Sequence, residues 1–206
     1  SGYSGGELLR LLSFHPEVEV AQVTSERQAG KLVHSVHPNL RGRTQLSFVP
    51  SAALEPCDVL CLALPHGKAQ ARIAAMAEQA PKVVDLSADF RLRDPAVYEA
   101  AYGRPHQAVE RQADAVYGLS ELAREAVAGA ELVANPGCYP TAAQLPLRPL
   151  LAAGLIELDP IVIDAKSGVS GAGRAAKEGS LHTEVSEGLH AYGIGTHRHT
   201  PEIEQE

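Results

Sequence analysis

The chain has 206 residues, 45% of them hydrophobic and 21% charged, enough for one large domain or two small ones with a real core and too apolar for disorder. Lys and Arg number 18 against 25 Asp and Glu, a formal net charge of −7 with no basic block, so neither nucleic acid nor a membrane is the expected partner; no apolar run approaches the roughly 20 residues of a spanning helix. Only Cys57, Cys61 and Cys138 carry thiols, which is no disulfide framework and points to a reducing, cytoplasmic compartment.

In chain order, Gly2, Gly5 and Gly6 open a helical spacing over Glu7–Phe14 that Pro16 closes. Val18–Val23 alternates in period two and predicts a strand. Asp58–Leu64 is a continuous apolar run stopped by Pro65-His66-Gly67, the pattern of a buried parallel strand with a loop at its carboxyl end. An Ala-rich stretch, 69–79, predicts a helix; 82–87 and 132–134 predict further strands. The alternation of helix and strand predicts a doubly wound, mostly parallel sheet. From Tyr139 to Ala153 the pattern is helical, with kinks expected at Pro146 and Pro149. Pro160–Ala165 predicts another strand, followed by the glycine-rich loop 167–174. A domain boundary is expected near residues 136–140. The ends, Ser1 and Glu202–Glu206, read as cuts through a longer chain, with a first strand missing before the glycines.

Several residues carry chemistry. Glycines before a helix let backbone amides approach a pyrophosphate at the positive end of the helix dipole. At the end of the next strand, Ser25 and Arg27 suit the 2′-phosphate of NADP, whereas Glu26 would suit the 2′-hydroxyl of NAD. Cys138 follows Asn135-Pro136-Gly137 and starts a helix, where the dipole and unpaired N–H groups favour a thiolate nucleophile. Cys57 and Cys61 read as inert core filling. His197 and His199 flank Arg198, so on an extended segment the imidazoles share one face and the guanidinium takes the other. A metal is the weaker use of this pair, because spacing forces no third ligand. His66 sits where sheets of this type bind ligands, while His15, His34, His37 and His106 read as exposed loop residues.

Taken together, these motifs resemble the N-acetyl-γ-glutamyl-phosphate reductase family. The markers are Ser1-Gly2-Tyr3-Ser4-Gly5-Gly6-Glu7-Leu8, Leu64–Gly67, Asp85-Leu86-Ser87-Ala88-Asp89-Phe90-Arg91, Tyr117–Glu121, Asn135–Thr141, Ser167–Arg174 and His197–Glu202, in family order along the whole chain. The resemblance implies an NADP-binding Rossmann domain over residues 1–137. It implies a truncated α+β substrate domain, like the C-terminal domain of glyceraldehyde-phosphate dehydrogenase, over 138–206. It implies a cytoplasmic homo-oligomer, dimer or tetramer, that reduces a small acyl phosphate through a Cys138 thioester, with His197 as acid. Gly2, Tyr3, Ser4, Gly5, Ser25, Arg27, Pro65, His66, Ser167 and Gly168 would hold NADP, and Arg174, Arg198 and His199 the substrate; no metal is implied. The alternatives are a lysine-pathway relative acting on a substrate one methylene longer, and a nucleotide-binding module without chemistry.

Overall fold

A computed structural model describes residues Ser1–Glu206. Its frame is a four-stranded, all-parallel sheet of β3 (Val59–Leu62), β4 (Lys82–Asp85), β6 (Leu132–Ala134) and β5 (Val116–Tyr117), in that spatial order. A two-stranded parallel sheet pairs β1 (Val23–Thr24) with β2 (Phe48–Val49). Helices α1 (Tyr3–Leu12), α2 (Val33–Val36), α3 (Ile73–Ala77), α4 (Pro95–Tyr102), α5 (Val109–Ala113) and α6 (Ser120–Gly129) connect the strands; α7 (Cys138–Ala152), α8 (His182–Val185) and α9 (Thr200–Gln205) follow.

The register decides where chemistry can happen. Leu62 pairs with Asp85, Asp85 with Ala134 and Ala134 with Tyr117, so four strands end in one row. The loops leaving that row carry Pro65-His66-Gly67, Asp85–Arg91 and Asn135–Cys138, and a parallel sheet binds ligands at this edge. Beneath it, Leu62, Ala69, Ile73, Val83, Phe90, Leu132 and Ala134 form one aliphatic core. A second, smaller core of Val33, Val36, Leu40 and Phe48 packs under β1 and β2, with Leu9 of α1 against it.

Several expectations need correction. Of 18–23 only Val23 enters a ladder, and Gln22 instead exchanges two side-chain hydrogen bonds with the Glu55 backbone. The helix expected over 69–79 shortens to α3, because turns occupy 66–72. Pro160–Ala165 forms no strand: no segment lies beside it to accept its hydrogen bonds, and Val162 is 87% exposed. Helix α7 continues through Pro146 and Pro149, since the carbonyls of Ala142 and Leu145, which lose their donors, belong to exposed residues. His37 and His106 are buried rather than exposed. His37 fills the space that the missing Gly6 side chain leaves, and His106 is tied through Nε2 to the Asp89 carbonyl and through Nδ1 to the Ala108 amide.

Candidate active site

Cys138 is exposed and is the first residue of α7. The loop that delivers it has every backbone polar group committed. Asn135 N–H donates to the Asp85 carbonyl at 2.8 Å, and the Asn135 carbonyl accepts from Arg91 Nε at 2.8 Å. Pro136 has no N–H, and its carbonyl accepts from Asn135 Nδ2 at 3.0 Å. Gly137 N–H donates to Glu202 Oε1 at 2.7 Å, while its carbonyl accepts from both the amide and the hydroxyl of Thr141. The Cys138 amide comes next, at a helix start where no intrahelical partner exists, so it is the first donor left for a reacting oxygen.

Glycine at 137 answers to space rather than to backbone angle. Its φ of −67° suits any residue, but a Cβ there would lie 2.8 Å from the His199 ring and 3.0 Å from Arg91 Nη1. His199 thus packs directly on the peptide that precedes the thiol.

The second half of the site is a ring cluster. The His197 and Tyr139 centroids lie 4.9 Å apart, as do those of His197 and His199, and Tyr192 lies 5.6 Å from His197. The Tyr139 and Tyr192 hydroxyls hydrogen-bond to each other. The His199 amide donates to His197 Nδ1 at 3.1 Å, so the neutral His197 ring carries its proton on Nε2. Burial and then Arg198 push the His197 pKa down, which favours this neutral form. His199 is pushed down to about 4 by burial, then by Arg91, His197, Arg198 and His66. His66 closes the cluster: Ala88 N–H donates to its Nδ1 at 3.0 Å, again leaving the proton on Nε2, and burial followed by Arg198 lowers its pKa. Arg198 is exposed, its guanidinium 5.5 Å from the Tyr102 ring centre.

The glycine-loop end is assembled from distant parts of the chain. Gly2 caps α1 with no side-chain hydrogen bond, which leaves the first amides of a 10-residue helix open; Gly2, Tyr3 and Ser4 are exposed and Gly5 half-buried. Ser25 Oγ lies 3.0 Å from Ser1 Oγ, and the charge of Arg27 reaches the same place. Glu26 is turned away, its carboxylate accepting the Ser51 amide at 3.1 Å. Arg174, expected among the substrate anchors, instead lies beside this loop, with Nη1 donating to the Ser1 carbonyl at 3.4 Å. The fully charged guanidinium finds its acceptor there, and the exposed Ser167–Gly168 turn precedes it. Uncapped amides, the paired Ser1 and Ser25 hydroxyls and two arginines form a donor set that fits the phosphates of a dinucleotide. Pro65 and His66 stand at the carboxyl end of β3, on a turn where Gly67 adopts φ +79° and donates its N–H to Asp89.

Comparison with known proteins agrees with this layout. A family model described as "Semialdehyde dehydrogenase, NAD binding domain" matches residues 1–130, and one described as "Semialdehyde dehydrogenase, dimerisation domain" matches 138–206. The chain belongs to the semialdehyde dehydrogenase family. It is 57% identical to N-acetyl-gamma-glutamyl-phosphate reductase of Rhodospirillum rubrum, with all of this chain and 60% of that one aligned. A probable chloroplastic protein of the same name from Arabidopsis thaliana is 54% identical, with 100% of this chain and 51% of that one aligned. A putative [LysW]-L-2-aminoadipate 6-phosphate reductase of Thermomicrobium roseum is 55% identical, with 100% and 59% aligned. The chain therefore spans between half and three-fifths of the length of these relatives.

Sequence reasoning left out part of the site. Arg91 and Glu202 appeared only as members of motifs, with no role, and Tyr192 and Tyr102 did not appear at all. No local signal marked the first pair, since Arg91 lies among Asp89, Arg93 and Asp94, and Glu202 among Arg198, Glu204 and Glu206.

Proposed function

We propose that the protein reduces N-acetyl-γ-glutamyl phosphate to the corresponding semialdehyde, with NADPH as reductant, in the cytoplasm and as a homo-oligomer. The observation that carries this reading is an exposed thiol at the start of α7, beside a free backbone amide and between Gly137, which His199 packs on, and Tyr139, whose ring lies 4.9 Å from that of His197. The matches to relatives named for this reaction support it.

The Cys138 sulfur attacks the acyl carbonyl; the carbon–sulfur bond forms as the carbon–oxygen bond to inorganic phosphate breaks, giving a thioester. The Cys138 amide and the His197 Nε2–H both donate to the carbonyl oxygen as it gains charge, and general-acid help of this kind contributes roughly 10²–10⁴ in rate. Gly2–Gly5, Ser25 and Arg27 would hold the phosphates of NADPH, with Pro65, His66, Ser167 and Gly168 bordering it, and the bound cofactor would supply hydride to the thioester carbon. Collapse of the resulting tetrahedral alkoxide forms the aldehyde and returns the sulfur as thiolate, with the His197 Nε2–H donating a hydrogen bond to the oxygen throughout. Because the His199 amide occupies Nδ1, His197 is built to give a proton at Nε2 rather than to take one from Cys138. Arg198 is the substrate's carboxylate anchor, with His199 packed behind the reacting peptide. Arg174 joins the cofactor's phosphate side.

The relative named for an aminoadipate phosphate favours a second reading, the same chemistry on a chain one methylene longer. One methylene is worth about 10–200-fold in kcat/KM. The test is acyl-phosphate-dependent NADPH oxidation with both substrates. Preference for the N-acetylglutamyl compound is expected; preference for the longer one would select the second reading, and turnover of neither would reject both. With Glu26 turned to Ser51, NADPH should bind at least tenfold more tightly than NADH, and equal Kd values would contradict the assignment of Ser25 and Arg27.

A further inference from the structure

Below the reacting surface lies a buried ionic cluster that none of the chemical steps above uses. Glu202 is 1% exposed and Arg91 6% exposed. Glu202 Oε1 accepts two hydrogen bonds, from Gly137 N–H at 2.7 Å and from the Tyr117 hydroxyl at 2.9 Å. Its Oε2 stands 3.5 Å from Arg91 Nη1, close enough for charge pairing but without a hydrogen bond of its own. Arg91 spends its other donors on backbone, Nε on the Asn135 carbonyl and Nη2 on the Leu86 carbonyl at 2.9 Å. Gln144 of α7, also buried, donates to the Glu202 carbonyl at 3.3 Å.

Two separate parts of the chain thus meet on one three-residue loop. The loop after β4 grips its start, at the Asn135 carbonyl, and α9 grips its end, at the Gly137 amide. We propose that Glu202 and Arg91 are positioning residues: a paired clamp that fixes the two peptides flanking Pro136 and so aims the Cys138 sulfur and amide at the acyl carbon. Neither touches the reacting atoms. Pairing is what makes the clamp tolerable, since an unpaired charge buried at this depth carries a large desolvation cost. The clamp also ties the histidine segment to the cysteine: Glu202 lies three residues beyond His199, so one short helix sets both halves of the site. This inference rests on Cys138 being the nucleophile.

The clamp predicts a particular pattern in the whole protein. Glu202→Gln keeps an oxygen for Gly137 N–H, whereas Glu202→Met has similar volume and no such acceptor. For Met we expect kcat to fall about 10²-fold with KM within threefold, the scale of an ångström-sized misplacement, and for Gln we expect kcat within about fivefold of wild type. Iodoacetamide should alkylate Cys138 in the Met variant at least as fast as in wild type, since Arg91 then stands unneutralised nearby and only aim is lost. Wild-type kcat in a folded Met variant would overturn the proposal, as would a tenfold rise in KM at unchanged kcat, which would mark a substrate contact. Equal losses in Gln and Met would overturn the acceptor role.

Hydrogen exchange on the wild-type protein reads the contact without any substitution. The Gly137 amide should be strongly protected, and exchange at the rate of an open loop amide would contradict the clamp even if the Met variant fails to fold. A protected Gly137 in a protein that turns over no acyl phosphate would refute the reductase reading and leave the contact itself standing.

Discussion

The residues around the cysteine and those that bring the histidines are built in opposite ways. From Ser87 to Leu92 every side chain is buried, and Asp89 alone receives the Gly67 and Gln70 amides and the Tyr98 hydroxyl. From Leu145 to Pro201 no residue is buried, and Leu155, Leu158, Leu189 and Ile194 are each more than 70% exposed. The first region pays its conformational entropy with hydrophobic burial and a complete hydrogen-bond set; the second has no core of its own. The contrast teaches that Cys138 is preorganised by the sheet edge, while His197 and His199 are located by local pairing and by α9. The family model described as a dimerisation domain matches 138–206, the stretch in which these apolar side chains are exposed.

The largest effect should come from the ordered side. Cys138→Ala removes the nucleophile, and acyl-phosphate-dependent NADPH oxidation should drop at least ~10³-fold with the fold intact. Retention of wild-type rate would dissolve the distinction between the two regions. Gly137→Ala should come next: its methyl group meets His199 and Arg91, so stability should fall by about 1–3 kcal/mol and kcat/KM by roughly 10–100-fold. Unchanged thermal unfolding would show that the peptide is not tightly packed.

A smaller effect concerns pH. His199 ionises near 4 in the folded chain against an ordinary value of 6.5, so as pH falls the unfolded chain takes up that proton first. Its contribution to stability is whole above about 6.5 and is lost progressively down to about 4. Asp85, held up near 6 by burial despite its hydrogen bonds from Ser87, works in the opposite sense between about 6 and 3.8. A His199→Asn variant should therefore lose less Tm than wild type between pH 6.5 and 4.5, and parallel curves would contradict the assignment. The smallest effect belongs to the open side: Val162→Thr, at an exposed position, should change stability by less than about 0.5 kcal/mol. A loss of ~2 kcal/mol or more would mean that Val162 is covered in solution.

Strands β3, β4 and β6 and helices α1 and α7 were legible in the sequence as apolar runs and helical spacing, although β3, read as a buried strand, lies at the sheet edge and buries only Leu62. Helix α4 was equally legible and went unread: Asp94 caps the Ala96 amide, Pro95 takes the first position and Gly103 ends it at φ +68°. Cys138 and the H-x-H pair stood out as candidates because thiols and imidazoles are recognisable by type, and the folded chain brings Gly137, next to the thiol, against His199. The Glu202–Arg91 pair could not, since its meaning lies in a contact 111 positions long that no local pattern encodes. Pro160–Ala165 failed for the converse reason, a strand-like pattern without a neighbour. Arg174 was expected among the substrate anchors and lies beside Ser1 in the folded chain, a placement that no local pattern encodes, since a guanidinium suits a carboxylate and a phosphate equally well.

The most direct test is to mix the protein with N-acetyl-γ-glutamyl phosphate in the absence of reductant, quench in acid, and map the adduct by peptide mass spectrometry. The account predicts inorganic phosphate released in step with an acyl group on the peptide that begins at Cys138, removable by hydroxylamine as a thioester is. Phosphate release without acylation, or acylation that survives Cys138→Ser unchanged at another residue, would contradict it.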